Sequence, residues 1–266
     1  MWWQSYSPTT YIFHISSVSI NWYGLILVTA MIVAAYFARK KLAQDKIISY
    51  RQFEDLFFYA VVFGLLGARI GHVLFEIDHY IAYPQEIVQI WRGGISLYGS
   101  LVGGSLAVWW WCKKYKIKFL HISDRILPFF ALAQSIGRWG NYFNQELFGH
   151  PTDAWWGIYI APANRPLIFY NQNTFQPAFF YESLLDLSLF ILLFWLSKKN
   201  LKNGQITYVY IMGYSLIRFV MEFVRIDNTA MIASLRIPQL LSIILFLVAV
   251  YLLFFRTFKT LPNSQK

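Results

Sequence analysis

Residues 177–199 read PAFFYESLLDLSLFILLFWLSKK. From Pro177 to Ser197 the run is overwhelmingly apolar and about as long as the roughly 20 residues that a bilayer's hydrocarbon core demands of a helix. A proline at its start suits a helix N-terminus, and Lys198 and Lys199 follow directly. An apolar run closed by lysines is a membrane span with a basic end. The same reading, carried outward in both directions, gives six further spans over residues 19–38, 54–76, 94–112, 122–142, 204–225 and 237–256. The span at 94–112 is rich in glycine and the one at 122–142 carries Arg138, so both depend on support from elsewhere in the chain.

Composition supports a membrane class. Of the 266 residues 57% are hydrophobic and 20% aromatic, and only 14% are charged, where a soluble domain carries about 25%. The single cysteine, Cys112, excludes an internal disulfide framework and a cysteine metal cluster. Met1 to Ser19 holds no Lys or Arg, so the basic region of a cleaved signal peptide is not expected there.

The placement of the basic residues sets the topology. Arg39, Lys40, Lys41, Lys46 and Arg51 follow the first span, and Lys113, Lys114, Lys116, Lys118 and Arg125 follow the third. Lys198, Lys199 and Lys202 follow the fifth, and Arg256, Lys259 and Lys266 follow the seventh. The opposite side has Arg92, Arg165, Arg225 and Arg236 but no lysine. The positive-inside rule makes the lysine-rich side cytoplasmic. The N-terminus is then external, the C-terminus cytoplasmic, and the span count odd, because removing or adding one span breaks the alternation. The net charge of +10 is explained by topology signals at an anionic leaflet, so no nucleic-acid face is expected. The expectation is one all-α membrane domain over residues 1–266, with seven transmembrane helices and a long external loop, 142–176, between the fourth and the fifth. At about 35 residues that loop has the length of a functional element. Its Trp155, Trp156 and Tyr159 suit the headgroup level.

Small residues pattern the contacts. Gly67 and Gly71, like Gly99 and Gly103, have the four-residue spacing that lets helices approach closely. The alternative is that Gly93 to Gly99 lines a site where lipid or substrate meets backbone.

Ionisable residues inside a span cost about 2.5–3.5 kcal/mol on insertion scales and are functional by default. Arg218, Glu222 and Arg225 fall within about 60° on one face of the sixth span, at about 100° per residue. Two arginines against one glutamate leave positive charge for an anion, unless the group only pairs helices. Arg69, His72 and Glu76 repeat the pattern in the second span, either as support or as a partner stripe. The densest group ends the fourth span: Arg138, Asn141, Asn144, Glu146 and Gly149 within thirteen residues beginning at Gly137. Arginine is a planar donor suited to bidentate phosphate binding. Tyr181 and Glu182 open the fifth span, and Tyr23 opens the first. The scattered histidines show no metal-ligand spacing.

These motifs together resemble those of the bacterial prolipoprotein diacylglyceryl transferases. The resemblance rests on Gly137-Arg138-x-Gly140-Asn141-x-x-Asn144-x-Glu146-x-x-Gly149, on Trp22-Tyr23-Gly24, on Gly67-x-Arg69-x-Gly71 and on Gly93-Gly94-Ile95-x-x-x-Gly99. It rests also on Tyr181-Glu182 and Arg218-x-x-x-Glu222-x-x-Arg225. It implies a seven-helix enzyme of the bacterial inner membrane with an external N-terminus and with no metal or cofactor, and a monomer is expected. Its substrates would be phosphatidylglycerol and the lipobox cysteine in the signal peptide of a preprolipoprotein. A thioether would form and glycerol phosphate leave. The resemblance implies catalytic roles for Arg138, Arg218 and Glu222; Tyr98, where the chain departs from the family's pattern, is expected to join them by hydrogen-bonding the thiol or the phosphate. Substrate-binding roles are implied for Tyr23, Arg69, Asn141, Asn144, Glu146, Gly149, Tyr181 and Arg225. Many family members have histidine where this chain has Tyr98 and Gln176, so a histidine base at those positions is not how this chain works. The rival classes are an anion transporter with an arginine-lined site and a membrane scaffold.

Overall fold

The computed structural model describes residues 4–15, 18–227 and 229–258. Lys259 and Lys266 of the basic tail lie outside the described residues, as do Met1 to Trp3, Ser16 and Ser17 of the N-terminal stretch. Eight α-helices occur among the described residues, and seven of them overlap the seven apolar stretches, with shifted bounds. They are α1 (Trp22–Gln44), α2 (Tyr50–Phe75), α4 (Leu97–Lys114), α5 (Phe119–Asn144), α6 (Ala178–Leu196), α7 (Gln205–Met221) and α8 (Ile237–Phe258). The eighth, α3 (Ile77–Ala82), is a short helix that follows α2. Of these helices α1, α2, α6 and α8 are long and apolar enough to cross a membrane. At 17 residues α7 is about 26 Å long. It stops before the expected boundary at 225, so Glu222 and Arg225 lie in the turn that follows it.

The chain divides into two compact units, Met1–Tyr36 with Asp124–Lys266, and Phe37–Ser123. In the second unit α2 starts on a capping box: Ser49 Oγ accepts from the Gln52 N–H at 3.2 Å, and Gln52 Oε1 accepts from the Ser49 N–H at 2.9 Å. Its main packing partner is α4. They meet through the small-residue motifs, because a Cβ on Gly99 would lie 2.2 Å from the Gly67 carbonyl oxygen and one on Gly67 2.4 Å from that of Gly99. The glycines there serve close helix approach, the first of the two alternatives. Arg69 is 7% exposed. It donates from Nε to the Ile87 carbonyl at 2.8 Å and from Nη1 to those of Gly93 at 2.8 Å and Gly94 at 2.7 Å. Nη2 donates to Glu86 O. The guanidinium thus ties residues 86–94 to α2 rather than turning to Glu76.

In the first unit α6 packs on α7 and α7 on α8. Asp124 of α5 is 2% exposed and supplies the cap that α7 lacks. Its carboxylate accepts from the Gly204 N–H at 2.6 Å, the Thr207 N–H at 2.8 Å and Thr207 Oγ1 at 2.6 Å. Helix N-terminal N–H groups have no partner within the helix and attract negative charge. Phe148, Ile158, Ile160 and Phe175 of segment 145–177 form an apolar core with Phe179 of α6, and the two-residue strands β1 (Ile158–Tyr159) and β2 (Thr174–Phe175) of the segment pair antiparallel. Its long connector is therefore a folded element, although Trp155 and Trp156 remain exposed.

Candidate active site

The α5–α6 register is set one helical turn from the charged groups. Ser135 Oγ donates to the Ser183 carbonyl at 2.9 Å, and Ser183 Oγ donates to the Ser135 carbonyl at 2.9 Å. This places Arg138 of α5 against Glu182 of α6, with Nε 2.7 Å from Oε2. Asp186, four residues along α6, has its Oδ2 3.7 Å from the same Nε.

Glu182 is 2% exposed and is the hub of the cluster. Arg225 Nη1 reaches its Oε1 at 3.1 Å, and Arg218 Nη1 approaches to 3.8 Å. Arg218 also pairs with Glu222, and Arg236 Nη1 reaches Glu222 Oε2 at 3.2 Å. Arg225 pairs with Asp227 and donates to it from Nε at 2.7 Å. Four arginines therefore face four carboxylates at one end of α5, α6 and α7. The positive excess seen on the sixth span alone is met by Glu182 and Asp186 of α6 and by Asp227. One feature keeps the cluster open to an anion. Arg218 Nη1 is buried and donates no hydrogen bond among the described residues. Arg138 approaches the carboxylates through Nε, and its side chain also hydrogen-bonds to Tyr214 of α7.

A second polar group adjoins the end of α5. Gln145 and Leu147 both take left-handed backbone, with φ of 50° and 56°, a conformation costly for a residue with a side chain. They fold Glu146 back onto the helix. Its N–H donates to the Asn141 carbonyl at 3.0 Å. Its Oε1 accepts from Asn141 Nδ2 at 2.8 Å and from Asn144 Nδ2 at 3.4 Å. Tyr23 seats against the same turn, because a Cβ on Gly140 would lie 2.7 Å from its ring. It lies within electrostatic reach of Glu146 and Arg138. Gly149 joins the two groups. It forms a bridge with Arg225, and a Cβ there would lie 2.9 Å from the Val224 carbonyl oxygen.

The expected residues therefore gather in three ways. Arg138, Arg218 and Arg225 meet on Glu182, Glu222 pairs with Arg218 beside it, and Tyr23, Asn141, Asn144 and Glu146 form the adjoining polar shelf. Tyr181 turns instead to the long connector, its hydroxyl accepting from Trp156 Nε1 at 2.8 Å. In the second unit Tyr98 is half exposed on the first turn of α4, and Arg69 is spent on backbone carbonyls. Asp186, Asp227 and Arg236 are members that the sequence reading did not single out. An acidic pair at i and i+4 in an apolar span was a usable signal for Asp186. Asp227 and Arg236 carried none, being ordinary residues of a loop.

Comparison with known proteins bears on this arrangement. The family model described as "Prolipoprotein diacylglyceryl transferase" matches residues 10–255. The chain is 40% identical over 249 residues to a phosphatidylglycerol--prolipoprotein diacylglyceryl transferase of Synechococcus sp. (strain CC9902), covering 89% of each chain. It is 38% identical to the enzyme of that name from Fervidobacterium nodosum, covering 90% of this chain and 82% of that one. It is 34% identical over 259 residues to the one from Thermotoga petrophila, covering 96% and 86%. The chain belongs to the prolipoprotein diacylglyceryl transferase family.

Proposed function

We infer that this chain transfers the diacylglyceryl group of phosphatidylglycerol to the lipobox cysteine thiol of preprolipoproteins. The observation that carries the reading to particular atoms is the Arg138–Arg218 pair. Both arginines are held by buried carboxylates, and Arg218 Nη1 is a buried donor without a hydrogen bond. A phosphate diester is the complement of two such groups.

The thiolate attacks the glycerol carbon that bears the phosphate. A C–S bond forms, the C–O bond breaks, and its electron pair leaves on the oxygen of glycerol phosphate. The thiol's proton passes to the phosphate product or to solvent. Arg138 and Arg218 meet the charge that gathers on the leaving phosphate, which is where fixed donors contribute most. The same cations favour the thiolate, starting from a thiol with a pKa of about 8.5. Glu222 and Glu182 orient the arginines, and Tyr23 and Asn141 hold the headgroup, with Asn144, Glu146 and Gly149 shaping the turn beneath it. Tyr98 hydrogen-bonds thiol or phosphate. Arg225 completes the rim, and Tyr181 supports it through its contact with the connector.

The chain is read as a single seven-span domain of the bacterial inner membrane, acting as a monomer. Its N-terminus and the 142–176 connector are external and its C-terminus is cytoplasmic. The cluster then faces lipid of the outer leaflet. This is supported by the lysine asymmetry and by the seven helices at the seven apolar stretches.

The test is incubation of purified protein with phosphatidylglycerol and a lipobox peptide, with mass spectrometry for the diacylglyceryl thioether. Its absence with folded protein, together with anion flux in liposomes, would replace this reading with the transporter.

A further inference from the structure

Asp186 is fully buried, and neither of its carboxylate oxygens accepts a hydrogen bond among the described residues. The charged and titratable groups near enough to act on it are Arg138 from α5, Glu182 from α6, and Tyr210 and Tyr214 from α7. Arg138 is the one cation in that set. Glu182, one turn away on α6, is crowded by comparison, since Arg138, Arg218 and Arg225 all approach it. Its Oε2 lies 2.7 Å from Arg138 Nε, yet that oxygen accepts no aligned hydrogen bond. The single Nε–H therefore points squarely at neither carboxylate. It sits between them, at 2.7 Å from one and 3.7 Å from the other.

A buried carboxylate paired only loosely, with its one cation at 3.7 Å, is expensive to keep, so a state of the molecule that brings that partner closer offsets the cost. We propose that Asp186 is a second seat for the Arg138 guanidinium, occupied when a phosphate diester is bound. The proposal rests on the transfer reading above. An anion beside the cluster repels Glu182 and attracts the arginines. Arg138 answers both demands by moving Nε from Glu182 to Asp186, a shift of about one ångström to hydrogen-bond distance. Its Nη1/Nη2 edge then turns to the phosphate, while Glu182 keeps Arg218 and Arg225. A guanidinium serves two anions in this way because its donors lie on separate edges of one plane. Asp186 is thus a positioning residue, acting through Arg138 and not on the substrate.

The experiment is a structure of the full chain in nanodiscs with and without phosphatidylglycerol, joined to kinetics of Asp186→Asn and Asp186→Glu. With lipid bound, Arg138 Nε closes to about 3 Å from Asp186 and withdraws from Glu182. Asp186→Asn lowers kcat by about tenfold or more with KM for phosphatidylglycerol changed by less than about threefold, and Asp186→Glu recovers part of it. An Asp186 that is only a neutral buried acid is mimicked by asparagine, so Asp186→Asn with kcat within about twofold of the unaltered chain overturns the proposal. So does lipid phosphate seated on Arg138 while Nε stays on Glu182. If Asp186→Asn does not fold, the lipid-bound structure and Asp186→Glu decide the matter. Lipid bound away from Arg138 overturns the proposed phosphate site itself, an outcome distinct from a failed second seat.

Discussion

Ser135 and Ser183 exchange hydrogen bonds, each hydroxyl donating to the other's backbone carbonyl at 2.9 Å. Both are buried, and they lie on the turn of α5 and α6 that presents Arg138 and Glu182. The pair fixes how α5 slides along α6, and so which carboxylate the arginine meets. Ser135→Ala and Ser183→Ala should each cost about 0.6–1.7 kcal/mol, the range for hydrogen bonds between membrane helices. The double variant should lose more transfer activity than its melting temperature alone explains. Thermal unfolding in detergent beside an activity assay checks this. Unchanged activity in the double variant would show the register to be held elsewhere.

Arg138→Ala and Arg218→Ala should abolish transfer, and Arg138→Lys should restore little of it, because an ammonium lacks the planar edge that meets carboxylate and phosphate together. Tyr98→Phe should retain measurable activity. Thioether formation by mass spectrometry is the readout, with circular dichroism as the control for folding. Full activity in either arginine variant would remove the phosphate role. A folded but inactive Tyr98→Phe would assign the proton chemistry to the phenol.

Gly149→Ala should disable the enzyme without touching a charged group. The added Cβ would lie 2.9 Å from the Val224 carbonyl and 3.0 Å from Gln176 Cβ, both parts of the frame around Arg225. Overpacking of this kind costs about 1–3 kcal/mol. Gly140→Ala should act more locally, by pushing the Tyr23 ring off α5. The expected split is lower stability and activity for the first and weaker phosphatidylglycerol binding for the second, read by melting temperature and lipid titration.

Asp124→Ala should destabilise α7 by about 1–3 kcal/mol, leaving buried N–H groups of Gly204 and Thr207 without an acceptor. The cluster lies at the other end of α7, so activity at low temperature should survive while the melting temperature falls. Loss of activity at a temperature where the variant is fully folded would show that the cap also sets the position of Arg218.

The helices were legible because their signals are local. Apolar runs of membrane length and lysines gathered at alternate ends need no partner to be recognised. The same holds for the Gly67/Gly71 and Gly99/Gly103 spacings, whose close approach between α2 and α4 is a direct consequence of having no Cβ. Arg138, Arg218, Glu222 and Arg225 stood out for a related reason: a charge in an apolar span is costly wherever it ends up. What their faces on single helices hid was the partner. Glu182 was visible only as a companion of Tyr181, yet it receives three arginines. Tyr181, its neighbour, points away to Trp156.

The sequence by itself determined the membrane class, the helices and the residues too costly to be incidental, since hydropathy and charge act on each segment separately. Only the tertiary structure decided that the cluster is balanced, four arginines against four carboxylates, and that Arg69 is spent on backbone carbonyls. It also left Arg218 Nη1 without a hydrogen bond among the described residues and Asp186 only loosely paired, 3.7 Å from Arg138 Nε. Pairing is a property of distances between helices, and those are set by contacts such as the one between Ser135 and Ser183, which no single stretch of the chain contains.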